Sequence, residues 1–140
     1  MRISAKCDYA CRALLELSLH WPDKVPVHIK QISKNQEMPE RYLVQILIQL
    51  KRLGLVTSSR GKEGGYILAK SPENIRLGEV MRAISGDLLP IADSALRNGS
   101  VFVGIWKEVE GAMEDILGKV SFADICRKLT QKEKVLMYQI

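Results

Sequence analysis

The chain has few cysteines, no long apolar run and no catalytic motif. Its three cysteines are an odd number at irregular spacing, which excludes a disulfide framework and favours a reducing, cytoplasmic compartment. No stretch has the unbroken apolar length of a membrane-spanning helix, and the first residues lack the apolar core of a secretory signal. Because neither a nucleophile–base constellation nor a phosphate-binding glycine loop is present, the sequence does not indicate an enzyme.

The chain does carry an excess of basic charge, and this excess lies in its first half. Over 140 residues, 46% are hydrophobic and 26% are charged, which is typical of a globular protein. Residues 1–76 hold 13 Lys and Arg against 7 Asp and Glu, whereas residues 77–140 hold 8 against 9. The first half is therefore the better candidate for a surface that binds a polyanion.

Hydrophobic spacing predicts three short helices in this first half. Ser4 can cap a helix that runs to about His20, and Pro26 can lie near the start of a second helix. Pro39 can open a third helix, which Gly54 ends. A short polar turn at 34–38 separates the second helix from the third, which is the arrangement of a helix-turn-helix motif.

A β-hairpin is predicted directly after the third helix. Residues 55–58 and 66–69 have the composition of strands, and the intervening 59–65 are rich in glycine and charge. A helix-turn-helix followed by such a hairpin is a winged helix. We therefore expect a mostly α-helical fold with a small β-hairpin wing, in which residues 1–76 form a winged-helix DNA-binding domain.

Residues 77–140 are expected to form a helical dimerisation and effector region. A fourth helix ends at Ser85-Gly86, a loop covers 87–100, a long helix covers about 101–117, and one more helix follows. The long helix is more apolar than a single packed flank requires, which predicts a homodimer. The alternative is an ordinary core helix of one chain. The proposed dimerisation residues are Phe102, Ile105, Trp106, Val109 and Met113.

The third helix carries side chains suited to reading double-stranded DNA. Arg41 can bind guanine through two hydrogen bonds, Gln45 can pair with adenine, and Tyr42 can reach a phosphate. In the wing, Arg60 and Lys62 can enter the minor groove, where negative potential is concentrated. The alternative is that these residues form ordinary solvated surfaces.

The cysteines and histidines are interpreted mainly as structural residues. Cys7 and Cys11 share one face of the first helix with Asp8 between them, so a redox- or metal-sensing regulator is the alternative function. Cys126 is expected to be a buried small hydrophobe. His20 and His28 have no obvious partner in the sequence, and we predict no metal and no cofactor.

Several motifs resemble those of the Rrf-type winged-helix regulators of bacteria, over essentially the whole chain. The most specific match runs from Leu50-Lys51-Arg52-Leu53-Gly54-Leu55-Val56 into Ser59-Arg60-Gly61 and Gly64-Gly65-Tyr66. The resemblance implies a winged helix, a long dimerisation helix, and DNA contacts at Arg41, Tyr42, Arg60 and Gly61. Some relatives carry Glu at the position of Val44, where it helps to select among DNA sites. The operator preference of those relatives is therefore not expected for this chain.

The resemblance also bears on the cofactor and the partners. The iron–sulfur members carry three cysteines in the loop after the fourth helix, but residues 88–100 contain none. Asp8 stands where some relatives use a carboxylate ligand. The ending Met137-Tyr138-Gln139-Ile140 is similar to that of the cluster-free, cysteine-metabolism branch. We therefore expect a repressor without a cofactor, which binds a palindromic operator as a homodimer and acts in cysteine and sulfur metabolism or in iron–sulfur metabolism. The resemblance to that branch implies a cysteine-synthesis enzyme as co-regulator.

Overall fold

The computed structural model describes residues 2–62 and 64–139, so Glu63 in the wing and Ile140 in the C-terminal motif lie outside the described residues. Within these ranges, no helix is long and apolar enough to cross a membrane. The elements in chain order are α1 (Ala5–Leu19), α2 (Ile29–Asn35), α3 (Glu40–Arg52), β1 (Val56–Ser59), β2 (Gly65–Leu68), a short 3-10 helix (Pro72–Asn74), α4 (Leu77–Ser85), α5 (Asp93–Arg97), α6 (Val101–Gly118) and α7 (Phe122–Tyr138).

The predicted helices of the first half are confirmed. The Ser4 hydroxyl caps α1 by accepting a 3.1 Å hydrogen bond from the amide of Cys7. Gly54, with a φ of +76°, follows the end of α3. The second helix begins at Ile29, later than the sequence suggested from Pro26. The reason is that Val27 pairs with the hairpin instead of entering the helix.

The hairpin is antiparallel and pairs Val56 with Leu68 and Ser59 with Gly65, one residue away from the predicted strand limits. Val27 exchanges two 2.9 Å backbone hydrogen bonds with Tyr66 and so extends the sheet by one bridge. This close approach requires glycine at position 65, because a Cβ there would lie 2.3 Å from the Val27 carbonyl oxygen. The base of the wing is therefore held against the segment that leads into α2.

The second half is helical, with one correction to the sequence interpretation. The stretch 87–100, expected to be loop, contains the short helix α5. Helix α6 packs on α4, and α7 folds back onto α1 and the 3-10 helix. The side chain of Phe122, at the start of α7, is fully buried in the main core. The domain boundary between residues 76 and 77 stays a prediction.

Two hydrophobic clusters hold these elements together. The main cluster joins α1, α2, α3, the hairpin, α4 and Phe122. The helix α3 contributes its inward stripe of Leu43, Ile46, Leu47 and Leu50. A smaller cluster forms around Cys7, Met81 and Leu88, where α1 meets α4 and α6. Because α1 takes part in both clusters, it connects the winged helix to the second half of the chain.

Candidate nucleic-acid interface

The outward face of α3 presents polar and basic side chains in a helical row. Arg41, Gln45, Ile48 and Arg52 are exposed on the side opposite the buried stripe. Val44, beside this row, is 37% exposed. The face therefore combines hydrogen-bonding groups with two apolar side chains, the combination that base edges and thymine methyl groups require.

Aromatic and cation–π contacts support the first turn of this face. The guanidinium carbon of Arg41 lies 5.4 Å from the centre of the Tyr42 ring, and the Tyr42 ring lies 6.4 Å from that of Tyr9 on α1. Arg12 in turn lies 5.5 Å from the Tyr9 ring and pairs with Asp8 at 3.3 Å. Cation–π contacts at exposed sites contribute about 0.5–1 kcal/mol each. Arg41 is thus restrained before any ligand is bound.

Sequence reasoning missed two cations at one edge of α3. Lys6 from α1 and Arg52 line a groove of about 590 Å³ together with Gln45 and Gln49. In the described part of the chain, no carboxylate is ion-paired with either cation. The sequence did contain a signal for Arg52, because it lies eleven residues after Arg41 and therefore on the same face of the helix. Lys6 could be placed here only through the packing of α1 on α3.

The wing presents its cations at the opposite edge of α3. Arg60, Gly61 and Lys62 are exposed at the tip, where the sequence predicted a basic turn. The ammonium group of Lys51, in the last turn of α3, donates a 2.7 Å hydrogen bond to the hydroxyl of Ser58 in β1. The structure brings Arg41, Tyr42 and Gln45 together on one helix. Lys6 lies with Tyr42 and Gln45. Arg60 and Gly61 of the wing lie instead near Lys51, in the last turn of that helix.

Helix α6 carries a second surface, which is apolar. Phe102, Ile105, Trp106 and Val109 are between 40% and 56% exposed, and the rings of Phe102 and Trp106 stack at 6.1 Å. Met113, predicted to belong to the same set, is partly buried against the chain's own smaller cluster. Helix α6 has no fully buried residue along its described length.

The cysteines form no candidate metal centre within the described ranges. Cys7 is buried, and burial, followed by the neighbouring Cys7 thiol and Asp8, raises the pKa of Cys11 to about 12. Cys126 is only partly buried, which corrects the expectation of a buried hydrophobe, and its pKa is raised by burial. No group of three or more His, Cys, Asp or Glu side chains in residues 2–62 and 64–139 could hold a metal ion.

The two histidines have structural partners that the sequence did not reveal. The Nδ1 of His28 accepts a 3.1 Å hydrogen bond from the amide of Lys30 and so caps α2. The Nε2 of His20 lies 3.6 Å from the Glu16 carboxylate, one turn earlier on α1. A histidine cap departs from the usual Ser, Thr, Asp or Asn, which is why the sequence did not suggest it.

Comparison with known proteins identifies the family. The model of the Rrf2 family, described as an iron-dependent transcriptional regulator, matches residues 3–128. A helix-turn-helix-type transcriptional regulator of Synechocystis sp. is 34% identical over 129 residues, covering 89% of this chain and 87% of the relative. The transcriptional regulator CymR of Bacillus subtilis is 27% identical over 145 residues, with both chains covered completely.

Solved structures give the same result. The structure of T. potens IscR matches with a TM-score of 0.77 and 32% identity, covering 92% of this chain and 88% of that chain. The structure of B. subtilis CymR, described as the global cysteine regulator, matches with a TM-score of 0.76 and 27% identity, covering 91% of this chain and 98% of that chain. The chain belongs to the Rrf2 family of winged-helix, DNA-binding transcriptional regulators and is not an enzyme.

Proposed function

We propose that this regulator acts as a cytoplasmic repressor, binding a dyad-symmetric operator as a homodimer. The observation that carries the proposal is the apolar row on α6. Ile105, Trp106 and Val109 are each at least 40% exposed although they are large and apolar. A contiguous apolar face of this kind is characteristic of a protein–protein contact surface.

A second copy of the chain is the occupant that fits this face. Pairing two α6 helices about a two-fold axis buries the apolar row of both copies at once. Full burial of each large apolar side chain contributes about 1.5–3 kcal/mol. The interface is self-complementary, since each copy offers the stacked Phe102 and Trp106 rings to the other. Two recognition helices at fixed separation then follow from the symmetry.

The dimer places α3 of each copy in successive major grooves. Half-sites one helical turn apart, about 34–36 Å, suit helix-turn-helix dimers. Arg60, Gly61 and Lys62, which are exposed at the tip of the wing, are assigned to the adjacent minor groove, where cations are attracted to narrow A·T tracts. Bound at a promoter, such a dimer excludes the transcription machinery.

Base reading is assigned to the outward face of α3. Arg41 reads guanine and Gln45 reads adenine through paired hydrogen bonds, while the Tyr42 hydroxyl contacts a phosphate. Val44 and Ile48, 37% and 38% exposed, contact thymine methyl groups. An apolar residue at position 44 gives this protein a different operator preference from relatives that carry Glu there.

Selection from a pool of random duplexes, followed by footprinting of the winning sequence, tests this function. The expected result is an inverted repeat with half-site centres about 10–10.5 base pairs apart or a multiple of that spacing, and protection symmetric about its centre. Enrichment of an asymmetric sequence, or of no sequence above the starting pool, contradicts the proposal. A matched selection with the Arg41→Ala variant shows which base pair that residue reads.

An iron centre does not fit the residues present, although the family is described as iron-dependent. Iron–sulfur clusters are held chiefly by cysteine thiolates, with occasional histidine. The segment 88–100 has no cysteine. Of the thiols on α1, Cys7 is buried and burial raises the pKa of Cys11 to about 12. No group of three or more His, Cys, Asp or Glu side chains among the described residues could hold a metal ion with them.

A cysteine-synthesis enzyme is the co-regulator that we favour for sensing the metabolic signal. Support comes from the full-length similarity to CymR, whose structure is described as that of the global cysteine regulator. The end of α7 offers a surface, since Met137 is 74% and Tyr138 is 90% exposed. Titration with the purified enzyme is expected to raise operator affinity for the full chain, and to have no effect on a chain that lacks residues 137–140. Equal response of both chains contradicts the assignment.

A further inference from the structure

We propose that Glu16 is a positioning residue for DNA recognition: its buried carboxylate fixes the turn between α2 and α3 relative to α1. The inference rests on the proposed DNA-reading role of α3. Glu16 lies on α1, outside the face of α3 that is proposed to read DNA, and acts by holding α3 in place.

Both hydrogen bonds of the Glu16 carboxylate go to one turn, and its other polar neighbour is the Nε2 of His20 on the same helix, 3.6 Å from Oε1. Glu16 is 4% exposed and lies on α1. One carboxylate oxygen, Oε1, accepts a 2.7 Å hydrogen bond from Nδ2 of Asn35, and the other, Oε2, accepts a 2.9 Å hydrogen bond from Nε2 of Gln36. The two donors are consecutive in the chain, 19 and 20 residues after Glu16. Both oxygens of one buried side chain therefore hold the same short segment.

The surroundings show that an apolar residue would be the default choice at this position. Ala13 and Leu17, the neighbours of Glu16 along α1, are buried and belong to the main core. Removing a carboxylate from water is unfavourable unless hydrogen bonds replace its hydration. The carboxylate thus provides directional contacts that a leucine side chain could not.

The turn needs such contacts because little else anchors it. Glu37 has a φ of +50°, a left-handed conformation that is unfavourable for a residue with a side chain. Between the buried Ile32 and the buried Met38, no side chain is fully buried. Two further hydrogen bonds close the turn on itself, from the Ser33 hydroxyl to the Met38 carbonyl at 2.6 Å and from the Met38 amide to the Ser33 carbonyl at 3.1 Å. Besides the packing of Met38 in the main core, the hydrogen bonds to Glu16 tie the turn to another element, α1.

The consequence reaches the bases through Arg41. Helix α3 begins at Glu40, two residues after Met38, so a shift of the turn moves the first turn of α3 with it. Paired hydrogen bonds between an arginine and guanine require well-defined geometry, whereas contacts of a lysine with phosphates tolerate displacement. Weakening the hydrogen bonds of Glu16 should therefore lower affinity for the operator more than affinity for an unrelated duplex.

The test uses Glu16→Gln, which keeps the size of the side chain. The oxygen of the new amide can still accept the hydrogen bond from Asn35. Its NH₂ group then faces the NH₂ group of Gln36, so the second hydrogen bond is lost. We expect operator affinity to fall about tenfold, with affinity for an unrelated duplex and the salt slope unchanged. The double variant Glu16→Gln with Gln36→Glu restores a donor–acceptor pair with the roles exchanged, and should recover most of the affinity. Glu79→Gln, on an exposed residue of α4 that pairs with Lys70, is the matched control and should change nothing.

Two results would overturn the inference. One is an unchanged ratio of operator to unrelated-duplex affinity in Glu16→Gln, measured well below its melting temperature, even if that temperature has fallen. The other is unchanged amide hydrogen exchange at residues 33–38, which we expect to become faster while exchange in α1 stays the same. The exchange measurement needs no DNA. If the wild-type protein binds all duplexes with the same affinity, the proposed function is contradicted instead. The hydrogen-exchange result would still decide the role of Glu16.

Discussion

The ammonium group of Lys51 and the hydroxyl of Ser58 form a 2.7 Å hydrogen bond that joins the last turn of α3 to the first strand of the wing. On its other side, the wing is paired with Val27, just ahead of α2. The two contacts hold the hairpin between the two helices of the helix-turn-helix motif. The proposed recognition helix α3 and the wing are therefore held together as one unit with a fixed spacing.

The first prediction concerns this spacing. Ser58→Ala removes the acceptor but leaves every cation of the interface in place. Because a hydrogen bond contributes about 0.5–1.5 kcal/mol net, we expect operator affinity to fall by up to about tenfold. The log–log salt slope should stay that of the wild type in fluorescence anisotropy titrations. A smaller slope, of the size expected when a phosphate-binding cation is lost, would show that the substitution displaces a cation such as Lys51 from the interface.

The second prediction separates base reading from backbone binding. Arg41→Ala should weaken operator binding by about 1–3 kcal/mol and relax preference at one base pair of each half-site. Arg60→Ala, in the wing, should weaken binding chiefly where the flanking minor groove is A·T-rich. Competition titrations against single-base variants of the operator measure both effects. If both variants bind all sequences with equally reduced affinity, the assignment of Arg41 to a base is wrong.

The third prediction concerns the groove between α1 and α3. Lys6→Ala and Arg52→Ala should each weaken binding to all duplexes alike, because phosphates carry no sequence information directly. Removing one phosphate-binding cation lowers the salt slope by about 0.9, and a symmetric dimer carries each substitution twice, so the decrease should be doubled. Lys119→Ala, at the end of α6, is a cation outside this groove and serves as the control. A wild-type slope in both groove variants would remove the groove from the interface.

The fold was largely predictable from sequence because its signals are local. The stripe of α3 and the cap of α1 follow from residues three or four positions apart. The start of α2 was misplaced because the pairing of Val27 with Tyr66 joins residues 39 positions apart. The helix α5 was missed because it is five residues long and buries no residue, so it leaves no periodic signal.

The candidate site was predictable only in part, for the same reason. Arg41, Tyr42 and Gln45 could be assigned because they lie in one predicted helix beside a predicted wing. Lys6 and Glu16 could not, since both act across the packing of α1 against other elements. A charged residue in a helix is normally interpreted as solvated, and burial of Glu16 becomes visible only when the turn at 35–36 is in place.

The fourth prediction concerns iron. Protein isolated without oxygen should be colourless, contain no stoichiometric iron or sulfide, and bind its operator equally well before and after chelation. The reason is that the thiol of Cys11, with a pKa raised to about 12, and the buried Cys7 offer no set of ready thiolate ligands. Stoichiometric iron, or affinity that collapses on chelation, would favour the sensor alternative through Cys7, Asp8 and Cys11.

A homodimer whose α6 faces join two recognition helices is the central claim, and the number of chains bound per operator tests it most directly. Light scattering of the free protein and of its complex with a single operator duplex should give two chains in each case. Ile105→Lys with Val109→Lys should give monomers or aggregates, with operator affinity abolished and the winged helix still folded by circular dichroism. A native-like monomer of the unmodified protein at micromolar concentration, binding the operator one chain per duplex, would contradict the claim.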